Sequence, residues 1–315
     1  MAAISETPRV AAHGDDPSVG VALMVVAMLL VPIGDTLSKL LTEHIPPVEI
    51  AFWRYLVQSV CLLALAAIMR RKVRGLTDPL LLLGGVTSGA SLLFLVTAFQ
   101  VMPIATAIAI FFVEPLILTI LSALFLGERT GWRRLSAVAV GLVGAVIVIR
   151  PGWSTFGWYA LLPLAAALAF AMTMVVVRRA SRKYPPLTTQ SAISINATLF
   201  LALGLAILTL SGASDGPTLD VPSFVWIALG GMGLLSGLTF LLVSQAFSRV
   251  PASILAPFQY LEIVGATTLG YLVFNEFPDA MTWLGTAIIL GSGVYVFARE
   301  RRLALNRPIL STKGR

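Results

Sequence analysis

Two glutamates, Glu114 and Glu262, stand in the middle of long apolar segments. Each lies eleven residues after a proline (Pro103 and Pro251) and fourteen before a second glutamate, Glu128 and Glu276. At ~1.5 Å of helical rise per residue, each carboxylate falls about 16 Å from its proline, near half of the ~30 Å hydrocarbon thickness of a bilayer. A carboxylate at that depth costs a few kcal/mol or more and is read by default as functional. Two of them at matching places in a duplicated chain point to a ligand or proton site between repeats, the arrangement of a secondary transporter. The plainer alternative is a protonated glutamate tied to a neighbouring helix. Pro115 follows Glu114, and its missing N–H predicts a kink in that helix at the charge. Ile263 occupies the equivalent place after Glu262, so the kink is expected in one half only.

Three further charges lie within apolar segments. Asp35 and Lys39 are one helical turn apart and share a face, while Arg54 stands seven residues into the next segment, at similar depth. Asp35 can pair with Lys39 or with Arg54, either as a structural ion pair or as part of a clamp for a substrate carboxylate, and Lys39 can also snorkel to the surface. Aromatic side chains gather nearby: Trp53 and Tyr55 beside Arg54, Phe111 and Phe112 before Glu114, Phe258 and Tyr260 before Glu262. Acids flanked by aromatic faces suit an organic cation through charge pairing and cation–π attraction. The candidate substrate- or proton-binding set is therefore Glu114, Glu262, Arg54, Asp35, Lys39, Tyr260, Trp53 and Phe111. Gly212–Gly216 matches a nucleophile-elbow pattern but lies in a polar loop. Asn196–Thr198 matches a glycosylation acceptor inside an apolar segment. His13 and His44 are isolated, no cluster has metal-ligand spacing, and neither a cofactor nor a catalytic residue is expected.

These residues must be positioned by membrane helices. The chain is 57% hydrophobic and only 12% charged, with a mean hydropathy of +0.91, against roughly 25% charged residues in a soluble domain. Ten apolar runs can be drawn, at about 19–41, 48–69, 79–101, 103–125, 132–149, 155–177, 188–210, 223–247, 252–274 and 281–298. The net charge of +7 is not a nucleic-acid footprint, because 19 of the 22 basic residues fall in alternate loops or the tails. The positive-inside rule then places both termini in the cytoplasm. The single cysteine, Cys61, cannot form an intrachain disulfide and reads as a small buried hydrophobe. The first apolar run exceeds a signal peptide's core and contains Asp35 and Lys39, so it reads as a retained helix.

The chain repeats itself. At an offset of 148 residues Gly85 falls on Gly233, Ser88-Gly89 on Ser236-Gly237, Pro103 on Pro251, Glu114 on Glu262 and Glu128 on Glu276. At an offset of 139, Pro46-Pro47 falls on Pro185-Pro186. Each half holds five spans, an odd number, so the second half enters the membrane upside down. The expected organisation is a cytoplasmic tail over 1–18, a first repeat over 19–150, a second over 151–299 and a basic tail over 300–315. Gly85-xxx-Gly89 and Gly233-xxx-Gly237 predict close helix contacts.

With these residues in place the chain resembles the drug/metabolite transporter superfamily. The ten spans in inverted halves, Pro46-Pro47 with Arg54 at the head of the second span, and the "LGER" of Leu126–Arg129 match its EamA-type repeat. Shorter stretches, "SKLL" (Ser38–Leu41), "EIAFWRY" (Glu49–Tyr55), "APFQYLE" (Ala256–Glu262) and "FNEFPD" (Phe274–Asp279), are similar to S-adenosylmethionine uptake transporters of intracellular bacteria. The resemblance implies an all-α membrane protein of ten transmembrane helices around a central cavity, in a bacterial inner membrane. It also implies a small-molecule substrate, a lipid partner, no nucleic acid, no enzymatic activity and a possible homodimer. In that reading the midplane glutamates meet the sulfonium cation and Arg54 the carboxylate. Export of amino acids or other metabolites is the alternative within the same fold. A membrane-embedded enzyme or a non-transporting scaffold are the alternatives from other classes.

Overall fold

A computed structural model describes residues 17–127, 132–213, 216–250 and 252–305. The distal tails, Glu128 and Arg129 of "LGER", Ser214 and Asp215 of the elbow-like loop, and Pro251 lie outside the described residues. The order is α1 (Pro17–Leu41), α2 (Pro47–Ile68), α3 (Pro79–Val101), α4 (Ile104–Phe111), α5 (Glu114–Leu126) and α6 (Trp132–Phe156). A 3-10 turn (Gly157–Leu161) leads into α7 (Leu162–Ala180), then α8 (Pro186–Leu210), α9 (Ser223–Arg249), α10 (Ala252–Gln259), α11 (Leu261–Phe274) and α12 (Ala280–Leu305). Among the described residues there is no strand. Seven helical segments are long and apolar enough to cross a membrane, and three shorter apolar helices accompany them: Leu135–Ile149, Leu261–Phe274 and Ala280–Tyr295. Exposed apolar side chains such as Leu203, Ile207, Ile227 and Leu234 cover the outer faces, as lipid contact requires.

The local punctuation repeats between halves. α2 and α8 each open on a proline pair, Pro46-Pro47 and Pro185-Pro186, with the cap residue extended and proline at the first helical position, where its fixed φ favours the helix and its missing N–H costs nothing. α4 and α10 are related by 148 residues at both ends. α5 and α11 end on left-handed caps 148 apart, Gly127 at φ 68° and Asn275 at φ 56°. The fourth and ninth apolar runs are therefore each broken into two helices. The expectation that Pro115 alone kinks its helix is corrected here. The second half breaks at Tyr260 with Ile263 in the proline's place. What the two breaks share is a glutamate in the first turn of the following helix, where a carboxylate meets the free N–H groups and the positive end of the dipole.

Register shows the inversion. Ile50 of α2 clusters with Val96 of α3, and Tyr55 bonds Ser88, so α2 and α3 run antiparallel. Gly84, Gly85 and Gly89 of α3 meet Ile193, Asn196 and Phe200 of α8 in the same order, so those two run parallel. α8 consequently runs opposite to α2, its counterpart. Gly233 and Gly237 of α9 likewise track Val57 and Cys61 of α2. The approaches are close. A Cβ on Gly85 would sit 2.3 Å from Asn196 Cβ, and one on Gly233 would sit 2.3 Å from Val57 Cβ. The small-residue stripes are thus seams between halves, which membrane helices need because lipid offers no hydrophobic drive for their association.

The loops sort to two ends. At one, Lys183 (2.7 Å) and the Tyr184 hydroxyl (2.8 Å) donate to Asp78 Oδ2, while Asn196 donates to the Leu76 carbonyl. At the other, the fully buried Glu49 accepts from the Thr218 amide and hydroxyl, tying the loop before α9 to the start of α2.

Candidate functional site

Arg54 is the hub of the centre. Its Nη1 lies 3.3 Å from Asp35 Oδ1, its Nε donates to Ser236 at 2.9 Å, and Nη1 also reaches Ser38 at 3.4 Å. α1, α2 and α9 are thereby joined by one guanidinium. The fork-shaped donor set of arginine suits such branching, and Asp35, 4% exposed at its side chain, would be costly to bury unpaired. Of the two partners open to Asp35, the structure selects Arg54.

Lys39 turns the other way. Its Nζ donates to both Glu276 oxygens, at 2.6 and 2.7 Å, and to the Met102 carbonyl at 2.9 Å, and it lies 5.0 Å from the Phe274 ring centroid. It ties the end of α1 to the ends of α3 and α11 and is no direct partner of Asp35. Its counterpart 139 residues on, Arg178 in the last turn of α7, donates to Ser122 at 3.3 Å.

The two glutamates have different surroundings. Glu262 lies within charge–charge range of Asp35, Arg54 and Glu114. Glu114 feels the more distant Arg178, and its Oε1 is buried without a hydrogen-bond partner. An unmatched buried carboxyl oxygen is costly, so the site calls for a proton, a donor or a cation there. Phe112 and Tyr260, repeat counterparts at the two helix breaks, pack ring to ring at 5.8 Å. Phe111 packs on Phe170 at 5.7 Å. Trp53 stands apart from this centre, wedged between Phe52 and Trp226 at 5.2 and 5.3 Å.

A cavity of about 250 Å³ lies between the halves, walled by α1, α2 and α3 and by α7, α8 and α9. It reaches from Arg54, seven residues into α2, to Gln190, four residues into α8, and so runs toward the Pro185-Pro186 end. The opposite end is filled by Leu41, Ile45, Ile50, Val96, Val225, Leu229 and Met232 beside the Lys39–Glu276 pair. Its polar lining includes Gln58, Ser88, Gln190, Ser236 and Thr239, none of which carries a charge for sequence reasoning to notice. One signal was present: Ser88 and Ser236 are repeat counterparts, each followed by a seam glycine. The serine faces the cavity while the glycine packs on a neighbouring helix.

The EamA-like transporter family matches residues 18–150 and 157–298 of the chain. Among curated proteins, the S-adenosylmethionine uptake transporter of Rickettsia bellii is 30% identical over 292 residues, covering 90% of this chain and 95% of that protein. The riboflavin transporter of Rhizobium johnstonii is 29% identical, covering 90% and 92%. The pseudopaline exporter of Pseudomonas aeruginosa is 28% identical, covering 86% and 93%. A solved crystal structure at 20% identity superposes with a TM-score of 0.62, covering 91% of this chain and 99% of its own, a likeness of fold. Family and relatives alike indicate a multi-pass membrane transporter of small metabolites and not an enzyme.

Proposed function

Because the chain belongs to the EamA-like transporter family, we propose that it is a bacterial inner-membrane secondary transporter with ten spans and cytoplasmic termini. It carries one small organic metabolite by alternating access. The observation that carries this reading is the cavity between the halves, with the Arg54–Asp35–Ser236 network on its wall and Glu262 within reach of those charges. At about 250 Å³ the cavity falls below the roughly 300–1,000 Å³ of ordinary ligand sites, so loading requires the walls to part. The Lys39–Glu276 pair and its apolar neighbours hold the far end shut, and the cavity extends toward the basic end. That geometry suits exchange with the cytoplasm.

The substrate reading is a zwitterionic metabolite with a second cationic centre, of which S-adenosylmethionine is the model. Glu262 and Glu114 take the cation or a proton, Arg54 takes the carboxylate, and Asp35 and Lys39 hold the surrounding charges. Names among the relatives support this: one is an S-adenosylmethionine uptake transporter. Others are a riboflavin transporter and a pseudopaline exporter, which favour export of another metabolite, amino acids included, as the second reading.

The test is reconstitution in liposomes with labelled S-adenosylmethionine, riboflavin and amino acids offered in parallel. A melting-temperature screen against the same compounds accompanies it, since a ligand that binds only the folded state raises that temperature. Glu114→Gln and Glu262→Gln are each expected to cut flux about tenfold or more, the equivalent of ~1.4 kcal/mol in one interaction, with membrane insertion intact. Unchanged flux in both variants would remove the glutamates from the mechanism.

A further inference from the structure

Charge pairing leaves one polar group in the cavity unused. Gln58 lines it and is only 7% exposed, yet among the described residues its carboxamide has no hydrogen-bond partner. Its neighbours on the same helix are occupied. Arg54 is held by Asp35, Ser236 and Ser38, and the Tyr55 hydroxyl lies 2.6 Å from Ser88 Oγ. A carboxamide offers two donors and an acceptor with two lone pairs, and leaving them unmet in a buried place is unfavourable. Whatever fills the cavity must therefore supply the match. The walls around it are otherwise flat and apolar, with Leu30, Val31 and Leu92 on one side and Phe170 from the second half. The Phe170 ring is itself braced by Phe111.

We propose that Gln58 is a specificity-determining residue that reads the edge of a planar nitrogen heterocycle, with an amino donor beside a ring acceptor, lying against Phe170. A glutamine amide matches such an edge with two parallel hydrogen bonds, as it does with adenine, and an aromatic face accepts a heterocycle by stacking. A neutral amide suits a neutral edge, whereas the charged ends of the substrate are met elsewhere. Arg54 and Gln58 are four residues apart on one face of α2, about 6 Å along the axis. A carboxylate and a heterocycle on one flexible metabolite can thus be held together. This rests on the reading of the chain as a transporter of small organic metabolites and adds what distinguishes one from another.

The experiment measures equilibrium binding of adenosine, methionine and S-adenosylmethionine to the full-length protein in lipid nanodiscs. Gln58→Leu is expected to weaken adenosine and S-adenosylmethionine roughly tenfold, within the range of one good bidentate pair, and to leave methionine unchanged. Gln58→Glu keeps the length and removes the donor, and the same selective loss is expected. It decides the matter should the leucine variant melt below the wild type. Unaltered adenosine binding in the folded variant, or an equal loss for methionine, overturns the proposal. So does a wild-type protein that binds methionine but neither adenosine, S-adenosylmethionine nor riboflavin. Selective loss without liposome flux of any compound would instead sink the transport reading and leave the Gln58 assignment standing.

Discussion

Arg54 and Asp35 carry the question of what a charge inside a membrane protein is for. The pair is nearly dry, with side chains 16% and 4% exposed, and the energetic asymmetry of such pairs is large. Removing one partner leaves a buried charge and costs about 3–5 kcal/mol, whereas removing both often costs little. Asp35→Asn is therefore expected to lower the melting temperature of the detergent-solubilised protein by several degrees. Asp35→Asn combined with Arg54→Gln should recover much of that loss while abolishing flux of a carboxylate-bearing substrate. Recovery of both stability and flux would make the pair structural only. The candidates were legible in the sequence because charge in an apolar run is conspicuous, and their partners were not. Nothing local told Asp35 to choose Arg54 over Lys39, because the choice depends on Glu276, which lies 237 residues beyond Lys39 and offers its ammonium a second carboxylate. Neutral lining residues such as Gln58 had no signal at all, since only packing shows which polar side chain in a helix faces a cavity.

The helices owe their arrangement to places where side chains are missing. Gly85 and Gly233 sit at the two related seams, and any Cβ there would lie 2.3 Å from a neighbour's Cβ. Gly204 and Gly230, in the same helices' lengths, would meet nothing within 4 Å. Alanine at Gly85 or Gly233 is expected to destabilise by about 1–3 kcal/mol through overpacking. Alanine at Gly204 or Gly230 should be neutral or stabilising, because glycine is the poorer helix former. Melting curves of the four variants decide it, and equal behaviour of the four would refute the seams. The Gly-xxx-Gly spacing announced close contact, but the partner helix is chosen across the repeat and could not be read from either stripe. At the start of α3, Asp78 accepts from Lys183, the Tyr184 hydroxyl and the Leu80 amide, and the nearby lysine chiefly pushes its carboxyl down to about 2 from an ordinary 3.8. A depressed folded-state value means that this anchor stabilises above about pH 4 and is lost as pH falls toward 2. Lys183 is 66% exposed at its side chain, so salt weakens the effect. The melting temperature should drop over that window, and less so in Asp78→Asn; equal drops in both proteins would show that the anchor does not couple to stability.

The whole molecule is organised about an approximate two-fold axis that its own sequence numbers mark. Ser59 and Thr198, 139 apart, share a hydrogen bond at 3.2 Å. Phe112 and Tyr260, 148 apart, pack ring to ring. Each pair joins residues at equivalent places in the two halves, as contacts on a two-fold axis must. The two offsets were visible in the chain; that equivalent residues would touch follows only once the halves are known to face each other. Inversion also fixes what lies on each side of the bilayer. With five spans per half, the Arg70–Arg74 loop and the 211–222 loop belong to opposite faces, the first cytoplasmic by its positive charge. The single native thiol, Cys61, makes this directly measurable in a Cys61→Ser background. Leu219→Cys, at an exposed position, should react with a membrane-impermeant maleimide added to intact spheroplasts. Arg74→Cys, also exposed, should react only after permeabilisation. Labelling of both from outside would mean an even number of spans in the first half, parallel repeats, and no shared midplane for Glu114 and Glu262.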